Sequence, residues 1–289
     1  MTFDDLPGVS VIGEGTPALA AMTRDLLAAI RAAGAPATGF VNENKLRADG
    51  AVEPARVELL RSWLDAGLDL GNHTWSHPDF QRTPIDAFEA DVIRGEEVTS
   101  SLLARKGRRL RYFRHPFLHT GRDLEAKRAL ERFLANRGYT VAPVTHDNSE
   151  WIFARAYASA VRRGDAEARE RVAVAYVPYM EAKFDYFERQ SRALFGREIP
   201  QVLLLHANSL NADRFGELAA MMRRRGYRFV PLDEALRDRA YESPDNYTGP
   251  AGITWLHRWA LTRGGRALVL PEEPRTPGFV LSEAGIDSE

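Results

Sequence analysis

The 289-residue chain contains no cysteine. That excludes disulfides, thiolate metal sites and a cysteine nucleophile, so any bound metal must be held by histidine and carboxylate. It also lacks an excess of either charge: 39 Lys and Arg stand against 40 Asp and Glu, for a formal net charge of −1. A nucleic-acid binder would carry a basic footprint, and the local clusters Arg108-Arg109 and Arg223-Arg224-Arg225 read as solvated helix ends. No apolar run approaches the roughly 18 residues of a membrane span. No signal-peptide core is visible at the N-terminus.

What the chain does have is a repeated switch from helical periodicity to a short apolar run. An amphipathic segment ends in glycine and a strand follows, as at Gly34 before Ala37–Val41 and at Gly67 before Leu68–Gly71. The pattern recurs at Gly107 before Leu110–Phe113, at Gly138 before Tyr139–Val141 and at Gly226 before Tyr227–Val230. Glycine suits a helix C-terminus because it takes positive φ without a Cβ clash. Alternating helices and strands imply a mostly parallel sheet covered by helices. The polar motifs fall just after several different strands, which is the C-terminal rim of a (β/α) barrel. Residues from about 152 to 200 read as two helices broken near Gly164-Asp165, a helical insertion able to overhang the rim. From about Tyr241 the periodicity fades among Pro244, Pro250, Pro271, Pro274 and Pro277. The expected organisation is a catalytic domain over 1–240 and a tail over 241–289 packing on it.

The chemistry-bearing residues begin with Asp4 and Asp5 in Thr2-Phe3-Asp4-Asp5, followed by His73 and His77 in His73-Thr74-Trp75-Ser76-His77. One carboxylate and two imidazoles form the ligand set of a hydrolytic zinc site, with a position left open for water. The i, i+4 spacing places both histidines on one face of a helical turn, and the spare aspartate would be the base. Arg114, where a strand runs into Pro116-Phe117, would hold that aspartate ionised, and the backbone N–H after the proline would face a developing oxyanion. Asp147-Asn148-Ser149-Glu150-Trp151 and Leu205-His206 complete the set; a carboxylate near His206 would keep it protonated and fit to act as an acid. Each fragment also has a plainer reading: surface histidines, a solvated N-terminal turn, an arginine reaching for solvent, a satisfied strand histidine.

Taken in order, Thr2-Phe3-Asp4-Asp5, His73-Thr74-x-x-His77, Arg114-x-Pro116-Phe117, Asp147-x-x-Glu150-Trp151 and Leu203-x-Leu205-His206 resemble the five motifs of the polysaccharide deacetylases, the NodB-homology carbohydrate esterases. The resemblance spans about residues 2 to 236. It implies a distorted (β/α) barrel and a metal-dependent hydrolase acting on carbon–nitrogen bonds other than peptide bonds, or on carboxylic esters. By this resemblance Asp5, His73 and His77 bind a divalent metal, usually Zn2+, and Asp4 is the general base held by Arg114. The Phe117 N–H stabilises the oxyanion, His206 is the acid tuned by Glu150, and Trp151 walls the acetyl methyl. Glu150 stands where the family commonly has aspartate, which leaves Asp147 as a second possible partner for His206.

The implied substrate is an acetylated oligo- or polysaccharide, N-acetylated amino sugars ahead of O-acetylated xylan. A small cyclic amide or formamide hydrolase on the same fold is the alternative, expected to be capped where a polysaccharide enzyme is open. The stretch before Pro200 and the tail segment Trp255-Leu256-His257-Arg258-Trp259 look capable of capping, with ordinary helix packing as their plainer reading. A catalytically silent carbohydrate-binding protein is another. The resemblance also implies work in the periplasm or outside the cell. Because only Met1 precedes the first motif, an upstream strand and a secretion signal are expected in the natural product, with the first strand of this chain incomplete.

Overall fold

The computed structural model describes all 289 residues. Six short parallel strands form its centre: β1 (Thr2–Leu6), β2 (Thr38–Val41), β5 (Asp69–Asn72), β6 (Tyr112–Phe113), β7 (Thr140–Val141) and β8 (Leu204–His206). They lie in the order β7-β6-β5-β2-β1-β8. Beyond β7 the chain continues to His146, which bridges Leu203 in parallel; Thr145 N donates to Val202 O and Leu204 N to His146 O. That contact joins the two ends of the sheet, so the architecture is a distorted (β/α) barrel rather than an open sheet. A separate hairpin, β3 (Arg47–Ala48) with β4 (Ala51–Val52), sits on the rim after β2.

The first strand consists of the Thr-Phe-Asp-Asp segment itself. It is only five residues long but is paired on both sides, with Thr2 opposite Thr38 on β2 and opposite Leu204 on β8. Phe3 faces outward and is fully buried, its ring edge-on to Trp63 at 5.6 Å and 5.8 Å from Phe215. Those partners belong to α2 (Pro54–Asp65) and α8 (Ser209–Arg224), which with α1 (Gly15–Ala32) cover this side of the barrel. Around the far strands lie α3 (Ile85–Arg94), α4 (Glu97–Arg105) and α5 (Leu124–Asn136).

All five glycines singled out in the sequence adopt positive φ, and four lead into a strand as expected. Gly226 does not: residues 227–230 are irregular. The barrel is already closed between β7 and β8, so no free edge awaits another strand. Tyr227 instead hydrogen-bonds Glu188 and Glu198 through its hydroxyl.

The stretch before Pro200 is α6 (Glu150–Arg162) and α7 (Ala166–Phe195), separated at Gly164-Asp165, with Asp165 capping α7 by accepting from Ala168 N at 2.9 Å. After the short α9 (Leu232–Ala235), the tail is more regular than its prolines suggested. It contains α10 (Trp255–Gly264), packed on α7, and α11 (Gly278–Ala284), packed on α6. Between them Tyr186 donates to Leu270 O at 2.7 Å and Gln190 bonds both Leu268 O and Leu270 N.

Because Phe3 anchors the central strand, Phe3→Ala should cost about 3–5 kcal/mol. Urea unfolding followed by circular dichroism should show the midpoint fall accordingly; an unchanged midpoint would mean that β1 is held by its backbone ladder alone.

Candidate active site

The C-terminal ends of the strands open into a cavity of about 1220 Å³ lined by Asp4, Asp5, His73, His77, Asp147 and His206, among others. Its wall is strained. Of the eight non-glycine residues with positive φ, six line it: Asp5, Ser10, His77, Phe117, Leu118 and Glu272. Each such residue costs on the order of 1–3 kcal/mol and persists only where its surroundings fix it, a pattern that gathers at functional sites.

Asp5, His73 and His77 each point a ligand atom into this cavity, and the three atoms lie within 4.8 Å of one another. The histidines are not on a helical turn, as their spacing suggested. They sit in the irregular segment after β5, where Thr74 at φ 69° and His77 at φ 60° fold the chain back. Thr74 Oγ1 accepts from His77 N at 3.0 Å, and the rings come to 4.8 Å between centroids. His73 Nδ1 faces Arg114 O at 2.9 Å. A carbonyl only accepts, so Nδ1 carries the proton and the Nε2 lone pair is left to the cavity, 3.8 Å from Asp4 Oδ2 and 4.0 Å from Asp5 Oδ1. His77 Nε2 lies 3.8 Å from the same Asp5 oxygen.

Burial lowers the pKa of both histidines, His73 well below its usual value, so they are neutral imidazoles, the form that ligates metal. Burial alone would raise Asp5, but the charges of Lys45, His206 and the two histidines outweigh it and hold the carboxyl well below the usual carboxylate range. Asp5 Oδ1 is buried without a hydrogen bond, its nearest charged group the Lys45 ammonium at 3.2 Å. An ionised, unbonded oxygen facing two neutral imidazoles with free lone pairs fits a divalent cation.

Asp4 lies beside this triad, almost wholly buried, with Oδ1 unpartnered. Arg114 is fully buried beneath it, Nη1 at 3.7 Å from Asp4 Oδ2 and Nη2 donating to Thr2 Oγ1 at 2.9 Å. Burial pushes the Asp4 carboxyl up to about 6, opposed by the charges of Arg114 and His206. Opposite Asp4 in the β1–β8 register stands His206, whose Nδ1 meets Glu150 Oε2 at 2.9 Å. Burial would lower this imidazole; the hydrogen bond and charge of Glu150 outweigh that and lift it to about 9. Glu150, fully buried at the start of α6, also accepts from Asn208 Nδ2 and from Asn211 Nδ2 at 2.8 Å. Asn208 is at the same time the N-cap of α8, its Oδ1 taking the Asn211 N–H at 2.8 Å.

Asp147 reaches the cavity but makes no bond to His206; its oxygen takes the Asn148 N–H at 2.8 Å. Burial raises it to about 6 against the pull of Lys183. Phe117 and Trp151 both line the cavity, 53% and 44% exposed, which leaves two apolar surfaces free for a ligand. Every residue singled out in the sequence thus reaches this site or, like Arg114 and Glu150, stands directly behind it.

Lys45 and most of the lining residues from the tail were not singled out in the sequence; His257, within Trp255-Leu256-His257-Arg258-Trp259, was. Lys45 follows β2 on the rim, so its position after an apolar strand was the available signal. From the tail, Gly252–Thr254, His257, Glu272–Thr276, Leu281 and 287–289 line the cavity, and apart from the aromatic cluster around His257 no residue-type signal distinguished them.

Residues 1–133 match the family profile described as polysaccharide deacetylase. The match takes in the Asp4-Asp5, His73/His77 and Arg114/Phe117 motifs. Among solved structures the fold is similar to a CE4 family pseudoenzyme from Bacillus anthracis, at TM-score 0.50 and 13% identity over 82% of this chain and 65% of that one. A mutant CE4 pseudoenzyme with restored enzymatic activity aligns at TM-score 0.50 and 14% identity, over 81% of this chain and 65% of that one. A family 4 carbohydrate esterase from Streptomyces lividans, in complex with acetate, aligns at TM-score 0.48 and 19% identity over 81% and 93%. This chain therefore spans about two thirds of the length of the pseudoenzyme chains it matches.

Elemental analysis after incubation with a divalent metal and desalting should find about one ion per chain in the wild type and none in His77→Ala or Asp5→Ala. Stoichiometric metal in both variants would rule the triad out as the binding site.

Proposed function

We propose that the chain is a zinc-dependent hydrolase that removes acetyl groups from a carbohydrate, with N-acetylated amino sugars as the leading substrate class. The observation that carries this reading is the flanking of one potential metal triad by two groups of opposite proton affinity, the Asp4 carboxyl and the His206 imidazole. Asp5, His73 and His77 would hold the metal, which when bound supplies Lewis acidity and lowers the pKa of water from about 16 to roughly 7.

The chain's own residues then divide the proton work. Asp4, with its pKa about 6, is mostly ionised at neutral pH, and its unbonded Oδ1 takes the proton of the attacking water. Arg114 keeps that carboxylate charged and oriented. The Phe117 N–H donates to the acetyl oxygen as charge develops there. His206, protonated on Nδ1 toward Glu150, presents Nε2 to the leaving nitrogen and delivers its proton. Trp151 covers the acetyl methyl. Asp147 and Lys183 stand further along the cavity, where a sugar ring would place its hydroxyls.

The tail lines one side of the cavity, as the small-amide alternative would require. The volume of about 1220 Å³ nevertheless exceeds the roughly 300–1,000 Å³ of ordinary small-molecule pockets, which favours a sugar of several units. The similarity of residues 1–133 to the polysaccharide deacetylases supports work in the periplasm or outside the cell; no helix is long and apolar enough to cross a membrane. We also keep the division into a catalytic domain over 1–240, carrying the helical insertion, and a tail over 241–289.

Acetate release from acetylated oligosaccharides tests this reading directly. Asp4→Asn should retain the metal yet lose roughly 10²–10⁴-fold in turnover; full turnover in this variant would sink the mechanism. The pH profile tests the acid. Activity should persist while His206 is protonated and fall as pH rises through about 9. Glu150→Gln removes the charge that raises the imidazole, so the alkaline limb should move down by roughly 1–3 pH units. A limb that stays in place would show that His206 is not the proton donor.

A further inference from the structure

The turn from Pro116 to Leu118 holds the backbone N–H that faces the acetyl oxygen in the reading above, and it is the most strained part of the rim. Phe117 and Leu118 are consecutive non-glycine residues in the left-handed region, at φ 54° and 55°. Such a pair does not hold its conformation unaided. Nor does any strand reach it, since β6 ends at Phe113.

The turn makes two backbone bonds of its own, Leu118 N to His115 O at 3.1 Å and His119 N to Pro116 O at 3.0 Å, and the tail adds the side-chain restraint. Arg258 on α10 is 1% exposed. Its guanidinium donates through Nη2 to Leu118 O, through Nη1 to Thr120 Oγ1 at 2.8 Å and through Nε to Ile253 O at 3.0 Å. One planar cation therefore ties the far side of the turn to the chain entering α10. Its charge is met by Asp245 Oδ2 at 3.5 Å, and the same carboxylate oxygen takes Lys127 Nζ at 2.6 Å, which in turn bonds Thr120 Oγ1 at 3.1 Å. The tail also presses on the turn directly. At Gly252 a Cβ would lie 1.8 Å from Phe117 O and 3.0 Å from Phe117 C, so only glycine lets the two backbones approach this closely. Trp255 N, donating to Val144 O at 2.7 Å, fixes the start of α10 to the barrel wall.

We propose that Arg258, with Gly252 beneath it, is a positioning residue of the deacetylation site: the buried guanidinium clamps the Pro116–Leu118 turn and so sets where the Phe117 N–H stands. This rests on the deacetylase reading and deepens it, because it makes the tail, which lies outside the segment matched to the family, a working part of the site. Arg258 and Gly252 make no contact with Asp5, His73 or His77. The turn meets the triad through the Phe117 ring, 4.4 Å from His77 between centroids, while His73 and Asp5 are positioned from β5 and β1. Loss of the clamp should therefore weaken stabilisation of the oxyanion while sparing metal binding. A misplacement of about 1 Å at such a donor costs on the order of 100-fold in rate.

The test compares full-length wild type with Arg258→Met, Arg258→Lys, Gly252→Ala and Arg263→Met for kcat and KM of acetate release, bound metal per chain and Tm. Arg263 is the control: it lies on the same helix and bonds Leu194 O at 2.7 Å, fastening α10 to α7 rather than to the turn. Arg258→Met and Gly252→Ala should each lower kcat by about 10- to 100-fold with KM within about threefold and metal content unchanged. Arg258→Lys should recover part of the loss, because an ammonium can still reach one of the oxygens but lacks the planar fork. Arg263→Met should lower Tm and leave kcat near wild type. If Arg258→Met does not fold, Gly252→Ala decides by the same split. The clamp is overturned if both variants keep kcat within about threefold of a working wild type, or if Arg263→Met loses as much kcat for the same loss of Tm. A wild type that binds metal but releases no acetate from any acetylated sugar overturns the deacetylase reading itself, and the clamp with it.

Discussion

The register between β1 and β8 is the constraint on which the site depends. In a parallel pair, neighbouring residues project to the same face about 4.8 Å apart, and here Asp4 is the partner of His206. The same register sends Thr2 inward, where its hydroxyl meets Arg114, and sends Phe3 and Leu205 outward into the helix layer. A slip of one residue would place Phe3 in the polar interior and Asp4 among Trp63 and Phe215. The apolar burial of Phe3 is therefore what keeps a carboxyl and an imidazole side by side, and core packing and site geometry are one requirement.

That geometry matters because two buried charges of opposite sign stand behind the pair. Arg114 lies under Asp4 and Glu150 lies behind His206, both with no exposed surface. Neither charge is stable alone in such a place, since desolvation penalises each. Glu150 is met by His206, Asn208 and Asn211. Arg114 has its Thr2 bond and its ion pair with Asp4, while Nε and Nη1 lack hydrogen-bond partners. The consequence is a carboxyl at about 6 beside an imidazole at about 9. Environments that drive neighbouring titratable groups apart in this way assign base and acid roles, and between those two values both groups are charged.

Much of this was legible because the chemistry sits where short apolar strands end, and those strands can be read from glycine-punctuated periodicity. Gly34, Gly67, Gly107 and Gly138 announced β2, β5, β6 and β7. Gly226 misled, since the helix-ending signal is local whereas strand formation after it needs an unpaired edge. The His73/His77 spacing was right about proximity and wrong about cause: the chain reaches the same closeness by left-handed residues at Thr74 and His77, which no residue type there announces. The double use of Asn208 as helix cap and Glu150 donor is a tertiary fact. Lys45, Gly252 and Arg258 act through contacts 40 or more residues distant in sequence, beyond the reach of local pattern.

The similar chains with TM-scores of 0.50 are described as pseudoenzymes, one of them a mutant with restored activity. The barrel is therefore compatible with silence as well as with turnover, and function has to be argued from the side chains. A purely binding site would gain nothing from burying an unbonded carboxyl oxygen at Asp4, nor from surrounding Glu150 with three donors so that His206 stays protonated. Each arrangement costs stability through desolvated charge, and the cavity rim adds strained backbone at Phe117 and Leu118 that the tail must restrain. Costs of this kind, concentrated around one triad and met by contacts from β1, β8, α6, α8 and α10, are the basis on which we propose proton transfer over passive sugar binding.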